Sequence, residues 1–231
     1  YNFWNYTDYM QRICSTYPEG SRVLLLGMGG GTLVRNLRSL QHQVDAVEID
    51  PRVLHVARTY FELPMDQPVI IDDARHYVRT TNVSYDVIIY DSFSGESTPE
   101  HLLTLEGVVE AKERLRPGGV LLVNFYGYLE NELGLLTHSV YKTLASGGLD
   151  TYVVMTPGPP EERSIILLAW KQPEVAGVKH ILSAEWTSDI TLSQLDTSEG
   201  ILLTDRKPQM GLFAKAALQW RRLHHQMHGQ R

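Results

Sequence analysis

The chain has 231 residues, 43% hydrophobic and 21% charged, which suits one large domain with a buried core and is too apolar for a disordered segment. A formal charge of -6 argues against a basic, phosphate-tracking surface, so no nucleic-acid partner is expected. A single cysteine, Cys14, excludes an internal disulfide and a cysteine-rich zinc site, and no stretch reaches the roughly 18 uninterrupted apolar residues of a membrane span.

In chain order, Tyr6, Met10, Ile13, Cys14 and Tyr17 recur at helical spacing and predict an opening helix. Val23–Leu26 is a short apolar run that reads as a fully buried strand. A glycine cluster follows, then Leu33, Val34, Leu37 and Leu40 at helical spacing. Val44–Ile49 is the second strand. Asp50 before Pro51 is an N-cap followed by a first-turn proline, opening a helix that carries Val53, Leu54, Ala57 and Phe61. Val69–Ile71 is the third strand, and a short helix spans Ala74–Thr80. Tyr85–Tyr90 is the fourth strand, with Asp91 at its carboxyl end. The polar loop Ser92–Glu100 leads to a helix through Val108, Val109 and Leu115, and Pro117-Gly118-Gly119 turns into a fifth strand, Val120–Phe125. A helix near Glu130–Ala145 and strands near Thr151–Met155 and Ser164–Trp170 complete an alternating pattern. The remainder is less regular and ends in a helix near Leu212–His225. This alternation predicts a doubly wound, mostly parallel α/β sheet with helices on both faces. The expected organisation is a helical segment over 1–20, a nucleoside-binding catalytic domain over 21–170, and an extension over 171–231 packed on that same domain.

The chemistry collects at strand ends. Gly27, Gly29, Gly30 and Gly31 lie between strand one and its helix, where a backbone can approach a ligand and a helix N-terminus offers free N–H groups. Glu48 ends strand two, 21 positions after Gly27, where a carboxylate can accept hydrogen bonds from ribose hydroxyls. To this point a dinucleotide and an adenosyl sulfonium fit equally well. Strand three stops at Asp72-Asp73 and strand four at Asp91, so one crevice would gather several carboxylates. Such a crevice repels a diphosphate and attracts a sulfonium or ammonium cation.

These segments, with Val47-Glu48-Ile49-Asp50-Pro51, Asp72-Asp73-Ala74-Arg75 and Leu115-Arg116-Pro117-Gly118-Gly119, resemble the class I AdoMet-dependent transferase fold. More narrowly, the chain from Asn5 to Trp170 resembles spermidine synthases and related polyamine aminopropyltransferases. The resemblance implies an antiparallel closing strand, Glu48 on the ribose hydroxyls, and Asp73 with Ala74 at the adenine edge. Asp91 would be the acid–base residue and Tyr6 would line the amine pocket. The implied reaction moves an aminopropyl group from decarboxylated AdoMet to a small polyamine and releases methylthioadenosine, without a metal. The family also implies a homodimer.

Three positions depart from the family pattern. Ser94 stands where the active loop has a second, amine-binding aspartate; Gly30 stands where the glycine loop has an aspartate; Thr7 stands where a glutamine follows the tyrosine. Glu96 or Glu100 could replace the lost amine-binding charge. Loss of the discriminating carboxylate at 30 keeps a second reading open, methyl transfer from AdoMet in the same crevice to a polyamine or other amine acceptor. A nucleoside-binding module without turnover is a third, against which Asp91 argues. The glycine pattern resembles bacterial members fused to a membrane-embedded portion. With Tyr1 in place of an initiator Met, the expectation is a cytoplasmic fragment of a longer protein. His101, His224, His225 and His228 are weaker candidates, read first as structural or surface residues, and Tyr126 and Tyr128 read equally well as pocket lining or as core and rim aromatics.

Overall fold

The computed structural model describes residues 5–92, 99–125, 128–129, 134–155, 165–172, 191–209 and 211–213. Ser94, Glu96, Tyr126, His224, His225 and His228 lie outside these residues, as does most of the expected last helix.

Helix α1 (Asn5–Cys14) precedes strand β1 (Arg22–Leu26), α2 (Thr32–Ser39), β2 (Gln43–Glu48), α3 (Pro51–Tyr60), β3 (Val69–Ile71), α4 (Ala74–Thr80) and β4 (Tyr85–Tyr90). Then come α5 (Leu105–Arg114), β5 (Leu115–Phe125), α6 (Leu135–Ser146), β6 (Asp150–Met155), β7 (Ile165–Trp170) and β8 (Thr191–Ser193). The strands form one sheet in the order β3-β2-β1-β4-β5-β7-β6-β8. The first five are parallel neighbours, whereas β7 runs antiparallel to both β5 and β6, and β8 runs antiparallel to β6. The doubly wound sheet and its antiparallel closing strand are therefore as expected.

The apolar runs are continuous because both faces of the sheet are covered. In β1, Leu24 and Leu26 pack toward α5 and α6, together with Val108, Val140 and Leu144. The alternate residues Val23 and Leu25 pack toward α1 and α2, with Met10, Ile13, Leu33 and Leu37. Strand β4 divides in the same way, Ile88 and Tyr90 against Val87 and Ile89. The Asp50 side chain caps α3, accepting from Arg52 N at 2.9 Å, with Pro51 in the first turn.

Three local expectations are revised and one strand is added. Strand β5 starts at Leu115, which pairs with Tyr85, and the Pro-Gly-Gly segment is an irregularity inside the strand, Gly118 having φ +78°. The helix predicted to carry Phe61 ends at Tyr60, so Phe61 is its half-exposed C-cap. Tyr17 lies past the end of α1, where its hydroxyl donates to Gly118 O at 3.2 Å. Strand β8 was not legible, because three residues carry too little periodicity to register.

Candidate active site

The chain leaves β1 for β2 and β3 on one side, then returns to β4 on the other side of β1, which creates a crevice at the carboxyl ends of β1 and β4. The sheet ladder continues one bond past the strand ends: Gly27 N–H donates to Val47 O (2.9 Å), Asp91 N–H to Leu26 O (2.9 Å) and Asp72 N–H to Glu48 O (3.2 Å). Each strand-end residue is thus fixed by backbone pairing before its side chain does anything. The crevice is a cavity of about 970 Å³, and Gly27, Gly29, Glu48, Asp73, Ala74 and Asp91 all line it.

The glycines divide into two pairs. Gly27 has φ +89°, and a Cβ there would sit 2.5 Å from Asp91 O, so only glycine lets β1 pass the β4 loop. Gly29 faces open space. Gly30 and Gly31, read from sequence as ligand contacts, do not line the cavity; they pack against the Phe61 ring and the Leu63 side chain. A Cβ at 30 would meet the Phe61 ring at 3.3 Å and one at 31 the Leu63 Cδ1 at 2.7 Å, so either addition would make those side chains shift.

Glu48 is a buried carboxylate with two backbone donors: Met28 N–H to Oε2 (3.3 Å) and Asp50 N–H to Oε1 (3.1 Å). Each oxygen keeps further acceptor capacity toward the cavity. Asp73 caps α4 through Oδ1, which accepts from His76 N–H at 2.9 Å, while Oδ2 lies 3.4 Å from His101 Nε2. Asp72 turns to His76, 2.8 Å from Nδ1.

Asp91 is held at both oxygens. Asn124 Nδ2 donates to Oδ1 at 2.8 Å and the Tyr6 hydroxyl donates to Oδ2 at 3.2 Å. Burial pushes its carboxyl up from the ordinary 3.8 to about 6, against the pull of these two donors. Such a group is ionised at neutral pH yet more basic than an ordinary aspartate. Tyr6 does not line the cavity and reaches it through Asp91. Asn124, a buried polar residue directly after the apolar run Val120–Val123, escaped the sequence reading although the end of that run was visible.

Asp72, Glu100 and His101, each raised from the sequence, line the cavity too, whereas the contribution of residues 204–213 was missed. Thr204, Asp205, Pro208 and Phe213 close the side facing α4 and the 99–104 segment, where Glu100 and His101 lie. Nothing local in their sequence signals a long-range contact. The cavity is strongly acidic, with carboxylates from Glu48, Asp72, Asp73, Asp91, Glu100 and Asp205. Among the described lining residues the one arginine, Arg75, is engaged by Glu110 (2.8 Å) and Asp205 (2.7 Å). Among the described residues no group of three or more His, Cys, Asp or Glu side chains is placed to hold a metal ion, and no helix is long and apolar enough to cross a membrane.

Known proteins share this architecture. The polyamine aminopropyltransferase of Vibrio vulnificus is 38% identical over 116 residues, which cover 47% of this chain and 39% of that protein. An N-terminal histidine N-methyltransferase from Emericella nidulans is also 38% identical, over 115 residues, covering 47% of this chain and 20% of that protein. The chain thus matches well under half the length of either relative. The crystal structure of spermidine synthase from Thermotoga maritima superposes with a TM-score of 0.60 at 18% identity, covering 75% of this chain and 61% of that one, a likeness of fold. The profile of the spermine/spermidine synthase domain matches residues 6–177, so the chain belongs to that family.

Proposed function

We propose that the chain is a transferase that moves an aminopropyl group from decarboxylated AdoMet to a small polyamine. The observation that carries this reading is the charge of the described cavity lining: carboxylates from six residues against a single arginine whose donors are already taken. Both reactants are cations, and the field of the site attracts both. AdoMet itself carries an additional carboxylate, for which the described lining offers no unengaged guanidinium or ammonium group.

Glu48 accepts hydrogen bonds from the ribose hydroxyls, and Gly27 and Gly29 allow the nucleoside close to the backbone. Asp73 and Ala74 meet the adenine. The acceptor nitrogen attacks the carbon next to the sulfonium; the new C–N bond forms as the C–S bond breaks, and its electron pair stays on sulfur in neutral methylthioadenosine. The acceptor's surplus N–H proton passes to Asp91. A polyamine nitrogen is mostly protonated at neutral pH, with a pKa near that of lysine, about 10. The raised Asp91 value narrows the gap between proton donor and acceptor. Tyr6 and Asn124 fix both oxygens, so the base enters the reaction oriented.

Methyl transfer from AdoMet is the second reading. It is favoured by Gly30, which offers no carboxylate to discriminate against AdoMet, and by the likeness to an N-methyltransferase. Calorimetry with AdoMet and decarboxylated AdoMet, followed by mass spectrometry of products with putrescine and spermidine, separates the two. The expected product is the acceptor enlarged by one aminopropyl group. Methylated acceptor alone would reject the first reading, and binding with no product across a broad amine panel would reject turnover.

A further inference from the structure

The cavity's outer wall joins two segments far apart in sequence. Residues 203–209 lie along 99–106: Leu105 N–H donates to Leu203 O (2.8 Å), Asp205 N–H to Glu106 Oε2 (3.0 Å), and Gln209 N–H to Glu100 Oε1. Leu203 N–H is held from the other side by Thr143 Oγ1 at 3.1 Å. This strap carries Thr204, Asp205 and Pro208 to the cavity.

Arg75 ties the strap to the adenine side. Its Nε and Nη2 donate to Glu110 at 2.8 and 3.2 Å, and Nη1 donates to His101 O at 3.0 Å. Nη1 and Nη2 also donate to the two oxygens of Asp205, both at 2.7 Å. These contacts match the five donors of a guanidinium, so no hydrogen-bond donor is left for a ligand. Thr104 Oγ1 adds a further bond to Asp205 Oδ1 at 2.7 Å. The Arg75 side chain is 12% exposed and that of Asp205 40%, so the fork is buried on the arginine side and meets solvent on the carboxylate side. Since Arg75 directly follows Ala74 in the first turn of α4, whatever fixes Arg75 fixes the distance between the proposed adenine edge and the strap.

We propose that Arg75 and Asp205 are positioning residues for nucleoside binding, their bidentate pair setting the width of the adenine end of the cavity. The proposal rests on the nucleoside reading of that cavity. Removing the pair frees the strap to move away, so nucleoside affinity falls while the chemistry at Asp91 stays as it is. A merely structural ion pair would lower the melting temperature and leave affinity untouched.

The test uses 5′-methylthioadenosine as the calorimetric probe, with steady-state kinetics beside it. Asp205→Ala is expected to weaken binding and raise the nucleoside KM about tenfold, the scale of losing one charge-assisted pair. Because Asp205 itself lines the cavity and adds to its charge, Glu106→Ala is the companion variant: it removes one strap bond from a residue outside the lining, and about a threefold loss of nucleoside affinity is expected, with kcat and amine KM within about twofold. Unchanged affinity in both folded variants, or a loss confined to kcat, would overturn the proposal. If Asp205→Ala does not fold, Glu106→Ala decides alone. Failure of the unaltered chain to bind the probe would instead overturn the nucleoside reading, and this one with it.

Discussion

Asp91→Asn should make the protein more stable and nearly inactive. In the folded chain this carboxyl is raised from 3.8 to about 6 by burial, so ionising it costs folding free energy. The sign follows from proton binding: below the unfolded value both states are protonated and there is no penalty; between 3.8 and about 6 the penalty grows with pH; above about 6 it is complete. Two pKa units and a little more correspond to about 3 kcal/mol at pH 8, and to about half of that at pH 5. Asparagine keeps the shape and cannot ionise, while Asn124 still has an oxygen to donate to. The expected gain in melting temperature at pH 8 is roughly 5–10 °C for a domain of this size. Turnover should fall roughly 100-fold or more, with nucleoside affinity within a few-fold. Thermal melts at pH 5 and pH 8 beside initial rates measure all three. A variant less stable than the parent at pH 8, or a gain that does not shrink on acidification, would refute the assignment of a costly buried charge. An unchanged rate would take Asp91 out of the mechanism.

Two further outcomes follow from the same geometry. Asn124 stabilises the ionised form of Asp91, so Asn124→Ala should move the acid limb of the kcat/KM profile upward by about one pH unit, sparing the rate above about pH 8; a limb that stays put or moves down contradicts this. Gly27→Ala should cost more than about 2 kcal/mol in urea denaturation, because its Cβ would press on Asp91 and Ser92 backbone at a positive φ, and a neutral result would disprove that close approach.

Much of the fold was readable because its signals are local. Asp50-Pro51 marks a cap and a first turn, and the apolar runs of β1, β4 and β7 mark strands covered on both faces. Glu48, Asp73 and Asp91 were readable as a group because each stands within two residues of a strand's carboxyl end, and a parallel sheet brings carboxyl ends together. What escaped is what the chain makes at long range. The Phe61 and Leu63 contacts that occupy the Gly30–Gly31 side depend on how the segment after α3 turns. Asp205 meets Arg75 across 130 positions of sequence, and neither residue looks unusual where it stands. The Pro-Gly-Gly bulge was read as a boundary because those residues punctuate chains more often than they bend a continuing strand.

The placement of β7 has a consequence for synthesis on the ribosome. Strand β6 emerges first, but it has no bond to β5; it joins the sheet only through β7, made later in the chain. Until Ile165–Trp170 appears, the free flank of β5 presents an unpaired and apolar row to any passing strand. A chaperone or a shielding neighbour would protect the chain during the interval between those two strands, and a stalled chain ending there would carry an exposed edge that favours clumping.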